Sequence, residues 1–245
     1  DAYAWNGKGA ALVYLGEYNE AVKCLDKALE FDPEFWYAWG GKGSALVGLG
    51  KCDEAIECYD KALELNPGDA YAWNGKGAAL VELGEYDEAV ECFDKALEFD
   101  PEFWCAWGGK GSALIGLGKC DEAIESYDKT LELNPEDAYA WNGKGTALVY
   151  LGEYDEAIGC LDKALELDPE FSYAWGGKGS ALVGLGRCDE AIECLDKALE
   201  LNADDAYAWN YKGRALSGLG KYDEALECYK KAHELDPQYG IPDSN

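Results

Sequence analysis

The most reactive side chains in this sequence belong to ten cysteines, one histidine, and 49 aspartates and glutamates. A structural zinc site needs closely spaced Cys or His ligands, and a nucleophilic triad needs a histidine. The sequence has no Cys-x-x-Cys pair, and its single histidine, His233, stands near the end. Paired carboxylates such as Asp53 and Glu54 fit helix starts, where they favour the helix dipole. We therefore expect no catalytic residue, no metal and no cofactor.

Residues 40–44 read Gly-Gly-Lys-Gly-Ser and superficially resemble a phosphate-binding loop. That loop follows the pattern Gly-x-x-x-x-Gly-Lys-Ser/Thr. Trp36 stands where the first glycine is required, and Gly43 rather than a hydroxyl residue follows Lys42. The segment does not predict nucleotide binding.

The formal charge of −28 excludes two classes of partner. Nucleic acids and anionic membranes are bound by clusters of Lys and Arg, which are missing here. The sequence also lacks a run of about 18 apolar residues, so it predicts no transmembrane helix. The acidity is open to two interpretations, attraction of a basic partner or a solvated surface that keeps the protein in solution.

The cysteines recur at fixed positions, which argues for a packing role. Six share one position, three share another, and Cys105 stands alone: Cys24, Cys58, Cys92, Cys160, Cys194 and Cys228, then Cys52, Cys120 and Cys188. Such thiols behave as small apolar residues in a reducing compartment, which predicts a cytoplasmic location. Methionine is absent, so we expect a fragment of a longer protein or a processed chain.

Seven tryptophans recur at a spacing of 34 residues, from Trp5 to Trp209, and indicate a solenoid of stacked repeats. In the first repeat, the apolar spacing predicts two helices of about 13 residues each. Asp1 is the expected N-cap, and Gly16 is expected to end the first helix in a left-handed conformation. Pro33 is expected to stop the second helix.

The repeat resembles the tetratricopeptide repeat at Trp5, Lys8, Gly9, Leu12, Ala21, Leu25, Ala28 and Pro33. The resemblance implies an all-α, right-handed superhelical solenoid of seven antiparallel helix-turn-helix hairpins. It predicts one array over residues 1–239, with repeats 2–35, 36–69, 70–103, 104–137, 138–171, 172–205 and 206–239, and a tail at 240–245. In every repeat lysine replaces a family leucine, and leucine replaces a family tyrosine. We expect each lysine stem to lie on the core while its amine reaches water.

In tetratricopeptide arrays the first helix of each hairpin lines a concave groove. The resemblance therefore places a neutral set of side chains in the groove and the acidic residues mainly outside. We predict that a partner contacts the tyrosines, asparagines and serines of these helices: Tyr3, Tyr37, Tyr71, Tyr139, Tyr173 and Tyr207; Asn6, Asn74, Asn142 and Asn210; Ser44, Ser112 and Ser180.

Each of these sets has an alternative interpretation that concerns packing. The tyrosine rings could give contact area to a partner or pack against the neighbouring repeat. The asparagine amides could hydrogen-bond the backbone of an extended peptide or serve the fold. Glycines such as Gly40 replace asparagine in every second repeat, and either admit a ligand or allow tight helix packing. Paired aromatics such as Phe35 and Trp36 are either plugs between repeats or exposed contact points.

The sequence thus predicts a non-catalytic interaction scaffold that binds an extended peptide or protein segment, of unknown identity, in the concave groove. One alternative is a structural array that stacks end to end with copies of itself, because solenoids without capping elements expose apolar ends. A second alternative is a substrate-selecting module of a larger enzyme.

Overall fold

The computed structural model describes residues 1–240, which contain fourteen α-helices and no strand. The chain divides into two compact units, Asp1–Lys119 and Cys120–Asn245. Unit 1 holds α1 (Ala2–Tyr14), α2 (Tyr18–Phe31), α3 (Trp36–Gly48), α4 (Cys52–Leu65), α5 (Ala70–Leu83), α6 (Tyr86–Phe99) and α7 (Trp104–Gly116). Unit 2 holds α8 (Cys120–Leu133), α9 (Ala138–Leu151), α10 (Tyr154–Leu167), α11 (Ser172–Gly184), α12 (Cys188–Leu201), α13 (Ala206–Gly218) and α14 (Tyr222–Leu235). The all-α class and the succession of paired helices are confirmed; positions 241–245 of the predicted tail lie outside the described residues.

Local chemistry explains where the helices begin and end. The Asp1 carboxylate accepts a hydrogen bond from the Ala4 amide at 2.7 Å, as expected of an N-cap. Gly16 has a φ of +76°, and the equivalent glycine of every later repeat also lies in the left-handed region. The second helix stops at Asp32, whose backbone is extended ahead of Pro33.

The N-caps of the first helices follow a period of two repeats. The odd-numbered repeats use an aspartate whose carboxylate accepts backbone amides: Asp1, Asp69, Asp137 and Asp205. The even-numbered repeats place phenylalanine at the N-cap, without a side-chain hydrogen bond: Phe35, Phe103 and Phe171. These phenylalanines are buried, so they are the plugs, and we call them the plug phenylalanines. Trp104, which follows Phe103, is exposed.

In four second helices, α2, α4, α6 and α10, one side chain lies between two first helices that have glycine at the contact. Leu25 of α2 is fully buried and faces Gly9 of α1 and Gly41 of α3. A Cβ added at Gly9 would lie 2.6 Å from Leu25 Cγ, and one at Gly41 would lie 3.1 Å from Leu25 Cδ2. Close packing thus favours glycine at Gly9, where a Cβ would displace Leu25, and leaves little room for a side chain at Gly41.

Six of the seven lysines that replace the family leucine pair with an aspartate of the preceding hairpin. Lys76 Nζ lies 2.6 Å from Asp60 Oδ1, and the lysine side chain is only 22% exposed. Five further pairs join the same two positions of consecutive repeats: Lys42–Asp26, Lys110–Asp94, Lys144–Asp128, Lys178–Asp162 and Lys212–Asp196. These ion pairs are part of the contact between repeats.

The seven repeated tryptophans are half-buried, and six of them donate a hydrogen bond to the loop that precedes their helix. Trp73 Nε1 donates to the Pro67 carbonyl at 2.9 Å. At Trp209 the acceptor is the carbonyl of Ala203, at 2.9 Å, so replacing the loop proline by alanine preserves this bond. Cys58 and Cys92 lie among the buried aliphatic and aromatic side chains of unit 1, as expected of small apolar residues.

Within each unit the first helices contact one another side by side. In unit 1, α3 packs against α1 and α5, and α5 packs against α7; in unit 2, α11 packs against α9 and α13. We call the surface of these helices that carries the repeated tyrosines the first-helix face. It displays Tyr3, Tyr37 and Tyr71 in unit 1, and Tyr139, Tyr173 and Tyr207 in unit 2.

Candidate functional site

The repeated tyrosines stand in the first turn of each first helix, next to its N-cap. Five of them are between 56% and 75% exposed: Tyr3, Tyr37, Tyr71, Tyr139 and Tyr173. Tyr207 is half-buried, so it presents less of its ring to solvent than the other five tyrosines do. The first-helix face of each unit therefore offers aromatic surface at a regular spacing.

Three of these rings, those of the odd-numbered repeats one, three and five, also contact the plug phenylalanine of the next hairpin. The ring centroids of Tyr71 and Phe103 are 4.7 Å apart, and Tyr3–Phe35 and Tyr139–Phe171 repeat this arrangement. Tyr37 instead stacks on Trp36, with centroids 3.5 Å apart. One side of each ring is thus held by packing, while most of its area stays in solvent. A ring held in place loses little conformational entropy on binding.

The predicted asparagines follow the tyrosines of the odd-numbered repeats by three residues in the same helices. Asn6, Asn74, Asn142 and Asn210 are all half-buried. Asn6 Oδ1 approaches the neighbouring first helix, 3.9 Å from the position of an ideal Cβ at Gly41. Asn142 Oδ1 is buried and has no hydrogen-bond partner among the described residues. The Asn6 amide therefore borders the seam between α1 and α3.

The predicted serines differ in their access to solvent. Ser44 and Ser112 are exposed, and each donates to a carbonyl one turn earlier in its helix, at 3.2 Å. Ser180 is 2% exposed and donates to the Gly177 carbonyl at 2.8 Å. Ser180 is therefore not accessible to a partner in this structure, because the surrounding side chains cover it.

Three of the predicted residues, Tyr37, Ser44 and Tyr71, meet around one cavity of about 190 Å³ in unit 1. We call it the Tyr37–Tyr71 cavity; its lining is completed by Gly40, Gly41, Tyr59, Asp69 and Ala72. No atom lies within 4 Å of an ideal Cβ at Gly40, so glycine keeps this space open. The other predicted residues do not line it.

The polar groups of the cavity come from three helices and one N-cap. Ser44 Oγ and Tyr59 Oη are 3.1 Å apart and share a hydrogen bond. Burial raises the pKa of Tyr59 to about 12, and the Ser44 hydrogen bond opposes that shift, so the phenol is neutral at physiological pH. Burial also raises the pKa of Asp69, against the lowering effect of the backbone amides that it caps. The cavity thus offers two hydroxyls and one carboxyl group beside two aromatic rings.

The equivalent position in unit 2 is filled by Tyr207. An ideal Cβ at Gly176 would lie 3.8 Å from Tyr207 Cδ1, where Gly40 in unit 1 meets open space. The Tyr207 ring centroid is 4.5 Å from that of Tyr211, and burial, with the neighbouring Tyr211, raises the pKa of Tyr207. Tyr211 replaces the glycine found at Gly75, and Leu195 replaces Tyr59. Unit 2 therefore lacks an open counterpart of the cavity between α11 and α13.

Sequence reasoning missed Tyr59 and Asp69 as parts of a site. The equivalent residue in the first repeat is Leu25, and this pattern predicts only a core position. A tyrosine at a buried position needs a hydrogen-bond partner for its hydroxyl. That requirement is the signal in the sequence from which the contact with Ser44 could be inferred.

Within residues 1–240, no group of three or more His, Cys, Asp or Glu side chains is arranged to hold a metal ion. Nor does any helix within this range have the length and apolarity needed to cross a membrane.

Sequence comparison decides the family. The model of the Cilia and flagella-associated protein 70 C-terminal domain, a tetratricopeptide repeat domain, matches residues 69–241. The tetratricopeptide repeat model matches residues 2–35, and a second model described as TPR repeat matches residues 43–84. The chain belongs to the tetratricopeptide repeat family. A search of curated proteins found no match to this tetratricopeptide repeat sequence.

Solved tetratricopeptide repeat structures share the fold. A chain of the APC/C hetero-tetramer Cut9-Hcn1 is similar with a TM-score of 0.84 and 21% identity, covering 95% of this chain. This chain spans only 46% of the length of that chain. A tetratricopeptide repeat protein from Parabacteroides merdae gives a TM-score of 0.74 at 21% identity, covering 96% of this chain and 93% of its own. YrrB, described as a TPR protein with an unusual peptide-binding site, gives a TM-score of 0.55 at 28% identity, covering 75% and 95%.

Proposed function

We propose that this tetratricopeptide repeat chain is a non-catalytic scaffold that binds an extended peptide or protein segment along its first-helix face. The Tyr37–Tyr71 cavity carries the proposal: it is a recess lined by two exposed tyrosines and by the polar groups of Ser44, Tyr59 and Asp69. One side chain of the bound segment enters the cavity, and the neighbouring tyrosines give the segment contact area.

The size of the cavity favours a side chain over a small-molecule ligand. Sites for drug-sized ligands have volumes of about 300–1,000 Å³, whereas this cavity measures about 190 Å³. Side chains anchored in such pockets dominate the energy of many protein interfaces. The Asp69 carboxyl and the hydroxyls of Ser44 and Tyr59 are suited to accept hydrogen bonds from the entering group.

Two further observations support a protein partner in a reducing compartment. The description of YrrB names a peptide-binding site in a protein that is 28% identical to this chain. Eight of the ten cysteines are buried, which suits a reducing compartment such as the cytoplasm. The proposal needs no cofactor and no metal.

The test fills the cavity without disturbing the fold. Peptides selected from a random phage-displayed library on the immobilised protein are titrated against the variants Gly40→Leu and Gly7→Leu. Both glycines lie in first helices, and neither has an atom within 4 Å of an ideal Cβ. We expect Gly40→Leu to weaken binding at least about tenfold, a loss of about 1.4 kcal/mol, while Gly7→Leu leaves it unchanged.

Circular dichroism shows whether both variants keep the helical content of the original protein. If the selected peptides bind both folded variants as tightly as the original protein, the cavity is not the binding site and the proposal fails.

A further inference from the structure

A second kind of recess recurs outside the first-helix face. Three cavities, of about 440, 700 and 490 Å³, contain Trp39, Trp73 and Trp175 in that order. Each is also lined by a leucine two helical turns after the tryptophan and by a cysteine of the next helix. The largest lies wholly in unit 1, and we call it the Trp73 groove.

The floor of the Trp73 groove is apolar. Trp73, Leu80, Leu83 and Cys92 contribute to it, and Leu83 is 41% exposed. The Trp73 nitrogen is already bonded to the Pro67 carbonyl, so the indole has no further donor to offer. Burial raises the pKa of the Cys92 thiol to about 11, which keeps it neutral at physiological pH. This floor suits an aliphatic or aromatic side chain.

The rim of the groove is acidic. Its two cations are neutralised, because Lys76 pairs with Asp60 at 2.6 Å and Lys95 pairs with Glu98 at 2.7 Å. The rim carboxylates of Asp53, Glu85, Glu88 and Glu91 form no ion pair within 4.0 Å in the part of the chain that the structure describes. The rim thus carries unpaired negative charge around an apolar floor.

We propose that the Trp73 groove binds a segment of a partner protein in which a bulky apolar side chain is flanked by lysine or arginine. The apolar side chain enters the floor, and the flanking cations meet the rim carboxylates. Charge complementarity of this kind selects basic partners and excludes acidic ones. The site is separate from the Tyr37–Tyr71 cavity, and its occupant need not be the peptide bound there.

The repetition of the groove extends the proposal to longer partners. The Trp39 groove lies one repeat earlier in the same unit and presents the same residue types. A partner that repeats the basic-apolar pattern can occupy both grooves, and the second contact is then made at a high effective concentration.

The experiment measures the fluorescence anisotropy of a fluorescein-labelled peptide that alternates lysine with leucine. A peptide that alternates glutamate with leucine is the charge control, and it should not bind. The double variant Glu88→Lys with Glu91→Lys reverses the rim. A matched control, Glu30→Lys with Glu102→Lys, makes the same change of net charge at exposed residues outside the groove. We expect the rim variant to bind the basic peptide at least about tenfold more weakly than the matched control.

Leu83→Ser tests the floor separately and does not alter charge, so it remains informative if the rim variant fails to fold. We expect it also to weaken binding several-fold. Equal losses in the rim variant and the matched control would show diffuse attraction to the acidic protein and overturn the proposal. Loss of the basic peptide in Gly40→Leu would place it in the Tyr37–Tyr71 cavity and likewise overturn it.

Discussion

At the residue scale, the least expected interaction is the ion pair between Lys76 and Asp60. The sequence shows that lysine replaces a leucine of the family, but it does not show where the amine goes. The two residues are 16 positions apart and belong to different hairpins, so only their packing brings them together. The lysine stem still covers apolar surface, which explains why the substitution is compatible with the fold.

We predict a measurable coupling between these two residues. In a double-mutant cycle of Lys76→Met and Asp60→Asn, the coupling free energy should be about 1 kcal/mol, near the upper end for exposed pairs, because the lysine is mostly covered. Urea unfolding at low and high salt provides the measurement. A coupling near zero at low salt would mean that the pair only accompanies the packing of the repeats.

A second residue-scale prediction concerns the pH dependence of stability through Tyr59. Its folded pKa is raised from 10 to about 12, so the folded state holds the proton more tightly than the unfolded state. The resulting stabilisation is complete below the unfolded pKa and is lost as the pH rises from 10 towards 12. Tyr59→Phe, which removes the titrating group, should therefore lose less stability than the original protein over this range. Parallel loss of stability in the two proteins, followed by urea unfolding, would contradict the assignment.

At the element scale, glycines in the first helices are a requirement of packing rather than of helix formation. Glycine lowers helix stability by about 1 kcal/mol relative to alanine. Tyr59 of α4 lies against Gly43 of α3 and Gly75 of α5, so its ring is held from two sides. The first helices therefore depend on the second helices for their stability.

Gly75 and Gly7 occupy the same position of their repeats and should respond in opposite ways to alanine. A Cβ at Gly75 would lie 2.5 Å from Tyr59 Cζ, whereas one at Gly7 has no atom within 4 Å. We expect Gly75→Ala to lower stability by about 1–3 kcal/mol through overpacking, and Gly7→Ala to raise it by up to about 1 kcal/mol. Thermal unfolding followed by circular dichroism distinguishes the signs. A stabilised Gly75→Ala protein would show that the Tyr59 ring can move aside.

At the scale of the whole molecule, the ion pairs between repeats bear on self-association. The aspartate that receives the next lysine is present in six repeats, but the seventh has Lys230 at that position. Three residues later, His233 stands where the other six repeats have leucine, and its Nδ1 lies 3.0 Å from the Tyr239 carbonyl. A second copy that continued the register would bring its Lys8 against Lys230. This like-charge contact opposes stacking end to end, the alternative that the sequence had left open.

We therefore predict that Lys230→Asp promotes self-association, because it restores the acceptor for Lys8 of another copy. Sedimentation velocity over a range of concentrations should show larger species for the variant than for the original protein. The double variant Lys230→Asp with Lys8→Glu recreates a repulsion and should return to the original behaviour. Association of the original protein to the same extent would mean that Lys230 does not control stacking.

The sequence by itself determined the repeat, the helix boundaries and the family. These features depend on short-range chemistry: an aspartate caps the first helix, a glycine of positive φ ends it, and a proline follows the second helix. Such signals act over a few residues, and seven copies of them in register make the prediction strong. The two-repeat alternation was also visible in the sequence, although its cause at the N-caps was not.

Only the tertiary structure decided which of the equivalent side chains form a site. Tyr71 stays open to solvent while Tyr207 folds against Tyr211, although their first turns read almost alike. The difference lies in residues that come from another helix or a later turn, as Leu195 replaces Tyr59 and Tyr211 replaces Gly75. Solvent access, cavity shape and the Lys–Asp pairs all depend on contacts between segments far apart in the chain. No local pattern specifies those contacts, because each depends on the volume and charge of its spatial neighbours.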